Sequence, residues 1–184
     1  MSIIFICHPE TEWDVQGRFQ GTLEGPITDS GLEQAAQFVS SFPHIQIHHI
    51  YYGPNKRTRV LAELLLRRYP VAGMYIEPRL QERSYGEYEG MLMKEVSRYE
   101  HYDPDNLLER YVWTPPNGES YQEVSARANE FVLELQQVHP ADEVVVCITS
   151  SGVMRNVVHV QQGLSLADIF VLHVQPLQTF EVQH

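Results

Sequence analysis

Apolar positions along the chain fall into two kinds of segment, short continuous runs and longer stretches with helical spacing. Ser2 to Cys7 (SIIFIC) is a β-branched and aromatic run of the kind that fills a strand covered on both faces. It ends at Pro9, which cannot continue a ladder. Glu143 to Thr149 (EVVVCIT) is the strongest run of this type. Ile45 to Tyr52 reads as another strand, Met74 to Glu77 as a weak third, and Phe170 to Val174 and Gln178 to Val182 as the last two. Thr28 to Phe42 opens with capping residues and sets Leu32, Ala35, Ala36 and Val39 on one helical face. Arg57 to Tyr69 turns Val60, Leu61, Leu64 and Leu65 inward, and Met91 to Tyr102, Asp105 to Val112, Ser120 to Val138 and Gly152 to Gln162 complete the helices. Strands alternating with helices predict an α/β fold: a three-layer sandwich whose mainly parallel central sheet is flanked by helices on both faces. Sites in such sheets form beyond the carboxyl ends of the strands, here Cys7-His8-Pro9 and Thr149-Ser150-Ser151.

With 184 residues and no repeat, low-complexity tract or linker, a single domain over 1–184 is expected. A net charge of −11 argues against nucleic acid or an anionic membrane as partner, since both select for excess Lys and Arg. The longest apolar stretches, such as Val144 to Ile148, are too short to span a bilayer, and Met1 to Cys7 lacks the basic region of a signal peptide. The two cysteines, Cys7 and Cys147, have no metal-ligand spacing and suit a reducing cytoplasm, the expected location. Alternation along the strand is expected to turn Cys147 away from the pocket turn, against a disulfide with Cys7. The nine histidines are scattered, and the one adjacent pair, His48-His49, points to opposite faces of a strand. No metal and no cofactor is expected.

The segment from Cys7 to Ala35, CHPETEWDVQGRFQGTLEGPITDSGLEQA, resembles the opening motif of the histidine phosphatases (the phosphoglycerate-mutase-like superfamily), with His8, Glu10, Thr11, Trp13, Gly17, Arg18, Gln20, Gly21, Pro26, Thr28, Gly31, Gln34 and Ala35 in register. GPNKRTRVLAELL (Gly53 to Leu65), LQERSYGEYEG (Leu80 to Gly90), PPNGES (Pro115 to Ser120) and VVVCITSSGVMR (Val144 to Arg155) are similar to later family segments, so the resemblance covers nearly the whole chain. It implies His8 as the nucleophile that takes the phosphoryl group, Arg57 as the phosphate clamp, Glu82 as the proton donor, and Cys7, Asp14, Gln20, Gly21, Ser150 and Ser151 as substrate-binding positions. It also implies a small helical cap near 91–116 that carries specificity. A neutral imidazole can attack phosphorus in line while an acid protonates the leaving oxygen, and planar arginines and helix N-termini neutralise the equatorial oxygens.

Four positions depart from that motif: Cys7 replaces an arginine, Pro9 a glycine, Asp14 an asparagine and Ser150 a second histidine. Each change removes a donor or adds negative charge. Losing one well-placed donor to a transition-state oxyanion costs roughly 2.7–4 kcal/mol, or about 10² to 10³ in rate. The expectation is therefore a degraded phosphate pocket, impaired or inactive on ordinary phosphomonoesters, acting by binding a small phosphorylated or other anionic ligand or a protein partner. The alternative is a specialised phosphomonoester hydrolase working through phospho-His8; if active, the chain resembles a cofactor-independent phosphatase more than a glycolytic mutase, whose long insertions it lacks. Lys56, Arg59 or Arg18 are candidates to replace the missing cation, and His159 and His173 to approach from the last helix and strand. A thiol role for Cys7, at a strand end that lowers a pKa, is a third reading.

Overall fold

The structure, a computed structural model, describes residues 1–70, 73–96 and 105–183. Five strands, β1 (Ser2–Cys7), β2 (His49–Tyr52), β3 (Gly73–Ile76), β4 (Val144–Thr149) and β5 (Thr179–Gln183), form one sheet in the order β3-β2-β4-β1-β5. The first four are mutually parallel, and β5 closes the edge antiparallel to β1. Period-two alternation divides the strand side chains between two cores. Ile3, Phe5 and Cys7 of β1 with Val145 and Cys147 of β4 face helices α6 (Tyr121–Val138) and α7 (Ser151–Gln162), where Phe131, Leu135 and Met154 meet them. Ile6 with Val146 and Ile148 faces α2 (Asp29–Ser41) and α3 (Lys56–Arg68), where Val39, Leu61 and Leu65 complete the other core. Helices on both faces explain why β1 and β4 are apolar at nearly every position. The three-layer α/β reading therefore holds.

Several boundaries move. The second strand is confined to His49–Tyr52, and α2 buries Gly31, Ala35 and Val39, while Leu32 and Ala36, one position further round the helix, are exposed. In α3 the buried apolar set is Leu61, Ala62 and Leu65, with Val60 and Leu64 only half-buried. The expected strand from Phe170 to Val174 is wrong. Phe170 and Val171 end a helix, α8 (Leu166–Val171), started by a reciprocal cap in which the Ser165 hydroxyl accepts from the Asp168 N–H at 3.2 Å and the Asp168 carboxylate accepts from the Ser165 N–H at 3.0 Å. Cys147 pairs in register with Phe5, so it shares a face and a core with Cys7, contrary to expectation, yet both thiols are free.

Of the expected cap near 91–116, Met93–Val96 and Leu107–Val112 are helical; the intervening 97–104 lie outside the described residues, and with them most of the helix expected from Met91 to Tyr102. Among the described residues no helix is long and apolar enough to cross a membrane.

Candidate active site

Register places the site. Cys7 pairs with Thr149, so β1 and β4 end level with one another, and His8 and Ser150 leave the sheet side by side, tied by a His8 N–H to Thr149 carbonyl bond of 2.9 Å. His8 is buried. Its Nδ1 lies 2.7 Å from the Pro9 carbonyl oxygen, which can only accept, so Nδ1 carries the hydrogen and Nε2 keeps the lone pair. Burial, and then the Arg57 charge, hold the His8 pKa below the ordinary imidazole value. A neutral ring with a free Nε2 is the form a nucleophile needs.

His8 borders a hollow of about 430 Å³ together with Cys7, Glu10, Asp14, Ser151, Arg155 and His173. Of the residues singled out in the sequence, Cys7, Asp14, Ser151 and His8 thus converge, and His173 joins them. Arg57, Glu82, Gln20, Gly21 and Ser150 do not line this hollow. Arg57 is almost wholly enclosed, with its two terminal nitrogens donating at 2.8 Å to the carbonyls of Leu23 and Gly21, while Nε has no partner among the described residues. Its cleft is a separate one of about 190 Å³, shared with Glu24 and Lys56. Glu82 sits at the start of α7, accepting from the Arg83 N–H at 2.7 Å and the Gly152 N–H at 3.2 Å. A methyl group on Gly152 would stand 2.1 Å from the Glu82 Oε1, so only glycine leaves room for the carboxylate there. The buried Ser150 hydroxyl has no partner among the described residues.

Asp14 has a local reason to be acidic. Its Oδ2 accepts from the Thr11 N–H at 2.8 Å and the Thr11 hydroxyl at 2.7 Å, while Thr11 in turn caps a short helix, α1 (Glu12–Gln16), that the sequence reading passed over. Its Oδ1 accepts from the Gln20 amide at 2.8 Å. The Thr-x-x-Asp spacing was the available signal. The candidate replacement cations are engaged elsewhere: Arg18 donates to Gln16 and Gly90, Arg59 pairs with exposed Glu63, and Lys56 lines the Arg57 cleft. His159 packs its ring against Tyr111 at 5.9 Å. Burial, then the Glu82 and Asp14 charges, push the Cys7 thiol well above its ordinary range, which opposes a reactive thiolate.

Arg155 borders the His8 hollow, and among the described residues its Nε finds no acceptor. It also borders a second cavity of about 270 Å³ walled by Arg83, Arg110, Tyr85, Trp113 and Tyr121. Arg83 lies over the Tyr121 ring at 4.0 Å and the Tyr85 ring at 5.1 Å, and Arg110 over Phe170 at 4.1 Å. Among the described residues no Asp or Glu lines this cavity. Three guanidinium groups thus converge in one wall, with the Glu82 charge acting on Arg155. Their positions on separate segments gave the sequence no signal for it.

A profile of the histidine phosphatase superfamily (branch 1) matches residues 3–184. The chain belongs to that superfamily. Among curated relatives of this superfamily member, phosphoserine phosphatase 1 of Hydrogenobacter thermophilus is 31% identical over 151 residues, 79% of this chain and 69% of that protein. Phosphoglycerate mutase-like protein 4 of Arabidopsis thaliana is 27% identical over 157 residues, 84% of this chain and 68% of that one. A solved mycobacterial glucosyl-3-phosphoglycerate phosphatase superposes with a TM-score of 0.85 at 22% identity, covering 98% of this chain and 88% of its own, a likeness of fold.

Proposed function

We propose that this histidine phosphatase superfamily protein binds a small anionic ligand across its two adjoining cavities and hydrolyses ordinary phosphomonoesters poorly or not at all. The observation that carries the reading is the composition of the His8 hollow. Among the described residues two carboxylates, Glu10 and Asp14, border it with one guanidinium, Arg155, while the Arg57 charge acts on His8 from outside the lining. The terminal nitrogens of Arg57 are committed to backbone carbonyls, and Cys7 and Ser150 stand where the superfamily motif has Arg and His. A pentavalent phosphoryl group there would meet like charge; at about 4–5 Å and an effective dielectric near 20, each unit of repulsion is several kcal/mol. The arginine-lined cavity next door offers what the hollow lacks, and Arg155 is common to both.

The test pairs binding with turnover. Phosphoserine, 3-phosphoglycerate and simple dicarboxylates are titrated by calorimetry against the natural chain and Arg155→Gln. At least one anion binds, and the substitution weakens it by about 10- to 100-fold, the value of one charge-assisted hydrogen bond of roughly 1.5–3 kcal/mol. Turnover of p-nitrophenyl phosphate stays at the level of a His8→Ala control. Equal anion affinity in the Arg155→Gln protein, or robust turnover by the natural one, would overturn the reading. The neutral His8 tautomer favours the second reading, a specialised phosphomonoesterase with Glu82 as acid; trapping a phosphoenzyme decides between them.

A further inference from the structure

At the end of the sheet opposite His8, the fold brings His49 to His139 and Glu143, a pair four residues apart in the chain. His49 opens β2, His139 is the residue that ends α6, and Glu143 immediately precedes β4. His139 Nδ1 lies 2.8 Å from the Glu143 Oε2, and His49 Nε2 lies 3.5 Å from the same oxygen. The two imidazole rings are 4.4 Å apart between centroids, and one ligand atom from each of the three residues falls within 4.8 Å of the others.

We propose that His49 Nε2, His139 Nδ1 and Glu143 Oε2 bind a divalent transition-metal ion of the zinc type, with its fourth position open to water. The spacing fits the chemistry. Bonds of about 2.0–2.2 Å to a tetrahedral ion separate neighbouring donor atoms by roughly 3.3–3.5 Å. One measured pair is already at 3.5 Å and the other, at 2.8 Å, opens slightly when the ion takes the place of the shared proton. Two imidazoles and a carboxylate suit zinc, cobalt or nickel and not magnesium or calcium, which take oxygen donors. An outer partner is in place as well: His139 Nε2 is 3.1 Å from the Tyr51 hydroxyl, which fixes the ring with Nδ1 toward Glu143. The neighbouring backbone is held too, because the Val144 N–H donates to His48 Nδ1 at 3.0 Å. The three ligands are partly buried, with side-chain exposures of 28% for His49, 8% for His139 and 20% for Glu143, so an ion can enter from solvent yet lose most of its hydration.

The ion would clip the end of α6 to the starts of β2 and β4. It has no part in chemistry at His8, so its failure leaves the proposed function untouched, and the reverse also holds. The single-domain chain freed of any tag and stripped with chelator is titrated with Zn²⁺ and with Co²⁺. One ion binds per chain with a dissociation constant of micromolar or below, the thermal midpoint rises, and Co²⁺ gives the intense visible bands of a four-coordinate ion. Glu143→Gln and His139→Asn each weaken binding at least tenfold. Where a substitution unfolds the chain, ¹H–¹⁵N spectra of the natural protein serve instead: Zn²⁺ shifts Nε2 of one histidine and Nδ1 of another. No binding by 100-fold excess metal, binding that survives both substitutions, or unshifted ring nitrogens would each overturn the site.

Discussion

Cys7→Arg combined with Ser150→His raises phosphatase turnover by about 10² to 10⁴-fold over the natural chain, measured with p-nitrophenyl phosphate. Each replaced residue restores a donor whose loss costs roughly 10² to 10³ in rate, and the upper figure falls short of the product because groups acting on one phosphoryl oxygen set do not add. Cys7 already borders the hollow of about 430 Å³ into which an arginine would extend. Ser150 lies at the start of α7 beside His8, and its hydroxyl satisfies no partner that a histidine would orphan. The negative charges of Asp14 and Glu10 then gain a counter-charge instead of facing an incoming phosphate alone. The same double variant without a gain in turnover, but folded by circular dichroism, would place the defect elsewhere in the site.

Arg57→Met lowers stability by about 3–5 kcal/mol in urea denaturation. The substitution removes two charge-assisted hydrogen bonds to the Gly21 and Leu23 carbonyls, each worth roughly 1.5–3 kcal/mol, from a side chain only 1% exposed. Those bonds hold the loop that follows α1 against the start of α3. Anion affinity at the Arg155 cavity changes less than about twofold, since Arg57 is not among the residues that line that cavity. A phosphate clamp would give the opposite pair of results, with little change in stability and a large loss of ligand affinity.

Much of the scaffold was legible because local and global signals agree. The runs at β1 and β4 are apolar on both faces because helices cover both faces, and the chain turns at Pro9 and Ser150 because the strands end there. Phe170 to Val174 misled because its β-branched and apolar residues suggest a strand, while the deciding signal, the Ser165–Asp168 capping pair, lies upstream of it. The same kind of pair, Thr11 with Asp14, explains an acidic residue that the motif alone makes anomalous. Ala35, Val39, Leu61 and Leu65 point inward as their spacing implied, but the direction of the polar side chains was not legible. Arg57 matches its motif position, but where its guanidinium goes is set by carbonyls of Gly21 and Leu23, and the cavity of Arg83, Arg110 and Arg155 is assembled from three distant segments. Distance in the chain likewise hides His49 from the His139–Glu143 pair.

The most direct test of the central claim, that the His8 hollow no longer supports phosphoryl transfer, is rapid-quench trapping of acid-labile phosphate on the protein after mixing with radiolabelled phosphomonoesters, read by alkaline gel and mass spectrometry. Signal at the level of His8→Ala across the substrate panel is the predicted result. Near-stoichiometric phosphohistidine at His8 would contradict it.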